Sequence, residues 1–318
     1  MQKYLQVTEP VVDSQVVERI LRSEIASLGP IVRVHPLAAT PGVAAFGADV
    51  EGGQSFFLKL CDGAGQDAFD VEAYQLGYLA AKSPLPVPKV LSLSKDGKTF
   101  PFTYLLLGGV QGVPWSRLDP STSGREREEV ERDLAGLLGR MHAEVTASRF
   151  GEVLPDPSPS YGSWPELLSA LWAGRLDEVM VADRLDSPTQ DAVGWIHKNL
   201  NHLVATSEPP RLVHGNFSPA RVLCNPEGGK WKVSGVLEPA LLYGHPEIDL
   251  AFLEFLCGVG KSFYECYTRH LAIPEGFDLR KYVYMLYFAL EDVRLYGNTH
   301  HILAAVEYAR EVLRRCGC

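Results

Sequence analysis

The dominant spacing of the apolar residues in this chain changes at Gly108-Gly109-Val110-Gln111-Gly112, and that change restricts the folds open to it. Before this point short runs alternate in strand fashion: Ile31 to Val34, Gly42 to Val50, Ser55 to Leu60, Lys89 to Leu93 and Phe102 to Leu107. Glu51-Gly52-Gly53-Gln54 supplies a hairpin turn between two of them. Helical spacing precedes the strands over Asp13 to Ser27 and interrupts them over Ala68 to Ala81, the latter stopped by Pro84, Pro86 and Pro88. After Gly112 helical spacing takes over: Glu126 to Ala143, Trp164 to Met180, Gln190 to Leu203, Leu250 to Leu271 and Arg280 to Tyr296. The pattern predicts an α+β chain: a five-stranded antiparallel lobe with one crossing helix over residues 1–108, a glycine hinge at 109–112, and a larger helical lobe over 113–318.

With 318 residues and 46% hydrophobic content, the chain can bury a large core. A formal net charge of -9 argues against a nucleic acid as partner and suits a cationic ligand or a metal-bridged nucleotide. Met1 to Pro10 lacks the apolar core of a signal peptide, and no run of about eighteen apolar residues marks a membrane span, so a cytoplasmic location is expected. The six cysteines form no regular framework and read as reduced thiols, with Cys316 and Cys318 on a frayed tail.

Chemistry concentrates in Leu212-Val213-His214-Gly215-Asn216-Phe217-Ser218-Pro219-Ala220-Arg221, in Val236-Leu237-Glu238-Pro239, and in Gly244-His245-Pro246-Glu247-Ile248-Asp249-Leu250-Ala251. In order and spacing these resemble the catalytic and metal-binding loops of the aminoglycoside phosphotransferase family, small-molecule kinases akin to choline kinase. The resemblance runs from about Ile31 to the last helices. It implies a bilobal protein-kinase-like fold in which Lys59, on the third strand, contacts nucleotide phosphates and is held by Glu72 on the following helix. It also implies that His214 and Asp249 organise the loops. On the residues alone, Lys59 and Glu72 read equally as an exposed strand lysine and a solvated helix glutamate, and Glu238 as an ordinary turn residue.

Three positions depart from the family's pattern. Where the family has a catalytic Asp the chain has Asn216, and an amide is no base at neutral pH. A lost general base lowers a rate by about 10²–10⁴-fold. Five residues later, where the family has a metal-binding Asn, stands Arg221, a permanent cation without an acceptor, suited to a phosphate or a carboxylate. Glu238 replaces the metal-holding Asp, keeping the charge with one methylene more. The nucleotide loop, Ala39 to Gly47, lacks a dense glycine pattern.

Other signals carry less. Gly258-Val259-Gly260-Lys261-Ser262 mimics the end of a Walker loop but lacks the leading glycine and a preceding strand. His197, His270, His300 and His301 show no ligand spacing, and Ser234 lacks a nucleophile-elbow glycine. Tyr282, Tyr284, Tyr287, Phe288 and Tyr296 suit an acceptor pocket or a buried helix face.

From the three altered positions the sequence predicts a catalytically impaired pseudokinase that binds a nucleotide such as ATP, or a small metabolite, in the interlobe cleft, with Mg2+ reduced to one site at Glu238 or absent. Two alternatives stand beside it: an active ATP-dependent phosphotransferase with an atypical one-metal site, and a kinase scaffold repurposed for another transfer or for partner binding.

Overall fold

Alternation along single strands decides which side of the first sheet each side chain faces. The computed structural model describes residues 12–37, 42–61, 66–95, 97, 99–118, 124–156, 159–181 and 183–317. Ala39, Thr40 and Pro41 of the expected nucleotide loop and Cys318 lie outside the described residues. The chain begins with α1 (Ser14–Glu24), whose Asp13 cap accepts a hydrogen bond from the Val16 amide at 2.9 Å, and continues through β1 (Ile31–Leu37), β2 (Val43–Val50) and β3 (Ser55–Cys61). Then come α2 (Gln66–Lys82), β4 (Lys89–Ser94), β5 (Thr103–Gly108) and β6 (Val113–Pro114). The five longer strands form one antiparallel sheet in the order β1-β2-β3-β5-β4.

Phe56, Leu58 and Leu60 pack with Val17, Ile20 and Leu21 of α1 on one side of that sheet. Phe57 of β3 and Leu105 and Leu107 of β5 belong to a second cluster with Phe69 and Leu76 of α2. Each fully buried aliphatic side chain contributes about 1.5–3 kcal/mol, so both helices are held by several such residues. With a period of two, Lys59 shares the face of Phe57.

The chain goes on through α3 (Gly124–Glu144), β7 (Gly151–Glu152), α4 (Trp164–Val181), α5 (Ser187–Lys198), α6 (Leu200–Leu203) and β8 (Arg211–Val213). The hairpin β9 (Val222–Glu227) and β10 (Lys230–Val236) follows, then β11 (Leu242–Gly244), α7 (Glu247–Cys257), α8 (Lys261–Tyr267), α9 (Phe277–Leu295) and α10 (Thr299–Cys316). Two small antiparallel sheets have the orders β10-β9-β6 and β7-β11-β8.

The fold divides into two compact units, Met1–Val130 with Ala220–Pro239, and Glu131–Pro219 with Ala240–Cys318. The sequence reading places 113–318 together; in the structure the β9–β10 hairpin belongs to the first unit because β6 pairs with β9. The stretch 109–112 likewise runs inside that unit, with Gly112 at φ 137° and no room for a side chain between Ser234 Oγ and the Cys224 carbonyl.

Two helical expectations are corrected. The single helix expected over Leu250 to Leu271 is two, because Gly258 turns left-handed at φ 59° and ends α7 before Gly260 caps α8. Gly258 to Ser262 thus follows a helix and not a strand, in keeping with the rejection of a Walker loop there. Of the two cysteines expected on a frayed tail, Cys316 ends α10, a helix absent from the expectation and buried against its unit by Ala305, Ala309 and Val312.

Candidate active site

In the first unit, four charged side chains from distant parts of the chain meet. Lys59 Nζ donates to both carboxylate oxygens of Glu72, at 2.8 Å each, and to Glu238 Oε1 at 2.9 Å. Arg221 Nε donates to Glu238 Oε2 at 2.5 Å. β3 points Lys59 out of the sheet, α2 carries Glu72, and the β9–β10 hairpin brings Arg221, just before β9, beside Glu238, just after β10. The Leu237 amide donates to the Arg221 carbonyl at 3.0 Å and the Val236 amide to the Pro86 carbonyl at 2.8 Å, fixing the backbone around this corner. Glu238 has φ 53°, one of two non-glycine residues with positive φ among the described residues. That conformation is costly outside glycine and persists where neighbours enforce it.

The charges set each other's protonation. Burial raises the Glu238 carboxyl, but the attraction of Lys59 and Arg221 and their hydrogen bonds outweigh it and bring it down to about 2. Burial disfavours the Lys59 cation, yet Glu72 and Glu238 hold it above 10.5. Glu72 moves the other way: burial raises it, and Lys59 only partly pulls it back. Negative charge is therefore held most firmly on Glu238.

Asn216 belongs to the second unit, on a loop built from residues that local sequence does not mark as its supports. Asp249 accepts from the His214 amide through Oδ2 and from the Gly215 amide through Oδ1, both at 2.7 Å. Asp249 lies within α7 and from there serves the loop after β8, the organising role that the resemblance implies for it. His142 is fully buried with Nε2 at 3.2 Å from Asp249 Oδ2 and Nδ1 at 2.8 Å from the Tyr267 hydroxyl. A neutral ring that donates from Nε2 and accepts at Nδ1 satisfies all three groups. Burial lowers His142 in spite of Asp249, consistent with that neutral form. The Asn216 amide donates to His214 Nδ1 at 3.3 Å, and the Ala240 amide to the His214 carbonyl at 2.9 Å. Gly215, at φ 74°, passes the Ala240 carbonyl so closely that a Cβ would stand 2.3 Å from its oxygen. His142 and Tyr267 escaped sequence reasoning because they lie far from every motif.

The donor set admits a polyphosphate, since two cations converge on one carboxylate and either can turn to a phosphate. For magnesium it offers less. Among the described residues no three or more His, Cys, Asp or Glu could hold a metal together, and both Glu238 oxygens are engaged by cations. Were a divalent ion held here, Glu238 would be its protein carboxylate and the other ligands would have to come from phosphate and water, a pattern common for magnesium.

Comparison with known proteins gives a consistent result. The model of the fructosamine kinase family matches residues 40–315. A probable ketoamine kinase of Synechocystis is 25% identical over 284 residues, covering 84% of this chain and 84% of the relative. A putative fructosamine-3-kinase structure from Haemophilus somnus superposes with TM-score 0.72 at 19% identity, covering 93% of this chain and 96% of that one. A thermostable mutant of an aminoglycoside phosphotransferase, solved with AMP-PNP and hygromycin B, gives TM-score 0.66 at 21% identity, covering 95% and 98%. The two structures establish a fold shared with kinase-like small-molecule phosphotransferases. The matched family and relative carry kinase names, which overturns the expectation of an impaired pseudokinase. That expectation read the changes at Asn216, Arg221 and Glu238 together as impairment, although phosphoryl transfer takes most of its acceleration from positioning and electrostatics, which other residues can supply.

Proposed function

The chain belongs to the fructosamine kinase family, and from that premise we propose that it is an active ATP-dependent phosphotransferase acting on a hydroxyl of a sugar-amine, a ketoamine, with Glu238 as the carboxylate for one magnesium ion. The observation that carries this reading is Lys59 held at 2.8 Å by Glu72 and at 2.9 Å by Glu238, a charged amine locked in position on a rigid strand. Lys59 and Arg221 face the polyphosphate, Glu72 keeps Lys59 from swinging away, and Asn216 orients the sugar hydroxyl by a hydrogen bond. Magnesium, when bound, neutralises phosphate charge.

The hydroxyl oxygen bonds to the γ-phosphorus as the bridge to the β-phosphate breaks, ADP leaves with the bridging oxygen, and the hydroxyl proton ends on the product phosphate. In a loose transition state the attacking oxygen bonds late and its proton is still weakly acidic, so an orienting amide suffices for turnover. The test incubates pure protein with ATP, magnesium and the ketoamine formed from glucose and lysine, following ADP release and the phosphate ester by ³¹P NMR. Ester formation matched by ADP, and lost in Lys59→Ala, is expected. Binding of AMP-PNP without ester from any ketoamine overturns the reading.

A further inference from the structure

Glu238 is the pivot of the charged network, and its two oxygens are not equally placed. Oε1 faces Lys59, whose side chain is 14% exposed and which Glu72, 13% exposed, also holds. Oε2 faces Arg221, and both side chains of that pair are 29% exposed. The Arg221 contact is thus the outer half of the network and the half an arriving ion meets first. Lys59 has a second carboxylate to keep it in place if Glu238 is claimed. The backbone bond from the Leu237 amide to the Arg221 carbonyl, 3.0 Å, holds the corner without the side chains, so Arg221 can turn away while Glu238 stays fixed.

Two cations on one carboxylate leave no room for a divalent ion beside them, since like charges at contact distance repel strongly in a partly desolvated site. A polyphosphate changes the balance. It offers the guanidinium a second anion with oxygens that match its planar fork, and it brings its own magnesium to a carboxylate. We propose that Arg221 is an exchangeable counter-cation: it occupies Glu238 in the nucleotide-free protein and moves to the polyphosphate when nucleotide delivers one divalent ion to Glu238, so that Arg221 takes the place of a second metal. This deepens the phosphotransferase reading and rests on it for the nature of the ligand. It makes metal and nucleotide binding mutually dependent, and it assigns Arg221 opposite effects on the two.

The experiment measures Mn2+ binding by electron paramagnetic resonance and AMP-PNP binding by calorimetry. The wild-type protein is expected to bind Mn2+ weakly alone and one Mn2+ per AMP-PNP in the complex. In Arg221→Ala the affinity for Mn2+ without nucleotide should rise about tenfold and that for AMP-PNP fall about tenfold, the size of one charge-assisted hydrogen bond. In Glu238→Gln the bound Mn2+ should disappear while AMP-PNP still binds. Should Arg221→Ala fold poorly, Arg221→Lys, which keeps the charge without the fork, should hold Mn2+ affinity low and still weaken AMP-PNP. Two Mn2+ per nucleotide in the wild type, or shifts of equal sign or no shift in Arg221→Ala, overturn the exchange. Opposite shifts without phosphate ester leave the exchange standing and remove the phosphotransferase reading. Ester formation without those shifts does the reverse, and failure of the wild type to bind AMP-PNP overturns both.

Discussion

Asn216 is the residue on which the proposed rate depends most directly, because it supplies orientation where a carboxylate would also take a proton. Asn216→Asp is expected to raise kcat by about 10²–10⁴-fold with little change in KM, since a base acts on the transition state more than on the bound substrate. Steady-state kinetics on the ketoamine check this, and an unchanged kcat means the proton is handled elsewhere. Lys59, Glu72, Arg221 and Glu238 were each legible in the sequence as motif positions. Their mutual contacts were not, because Lys59 and Glu238 are separated by 179 residues and no local pattern reports which cation a carboxylate selects. The left-handed backbone at Glu238 was hidden too, for it follows from the packing of the hairpin and not from a residue that prefers it.

At the level of elements, the loop after β8 is stiff because α7 holds it from below. Replacing Asp249, fully buried, by Ala strands two backbone amides and the His142 ring, and is expected to destabilise the second unit by more than about 3 kcal/mol in chemical denaturation. Gly215→Ala should fail for a different reason, since both the φ of 74° and the neighbouring Ala240 carbonyl exclude a side chain. Hydrogen exchange at His214 and Asn216 should accelerate in both variants, and unaltered exchange in Asp249→Ala would show the loop to be held by other contacts. The strands of the first sheet are readable as short apolar runs bounded by turn residues such as Glu51 to Gln54 and by the prolines Pro84, Pro86 and Pro88. The last helix is missing from the sequence reading although its apolar residues keep helical spacing and Ala305, Ala309 and Val312 make its buried face. The break between α7 and α8 is marked in the sequence only by Gly258 and Gly260, and helical spacing on both sides of them lets a single helix be expected.

For the molecule as a whole, the charged network links stability to pH. Glu238 falls from its ordinary 4.5 to about 2 in the folded protein, so its contribution is fully present above pH 4.5 and is lost as pH drops towards 2. Lys59 is raised, so its contribution is present below 10.5 and declines as pH climbs past its folded value. Hydrogen exchange of the β3 amides should therefore speed up between pH 4.5 and 2 more steeply in the wild type than in Glu238→Gln, once the intrinsic pH dependence of exchange is removed; equal slopes would mean the network does not stabilise the strand. The first unit is also assembled from two separated stretches, with Ala220–Pro239 returning to a body begun at the amino terminus. On the ribosome, where synthesis proceeds at about 5–20 residues per second, Lys59 leaves the tunnel long before Arg221 and Glu238 exist. Lys59 can meet Glu72 early, but its second carboxylate, Glu238, arrives only after residues 131–219 of the second unit have been made, so the last piece to complete the early body is also the piece that brings Arg221 and Glu238 to it.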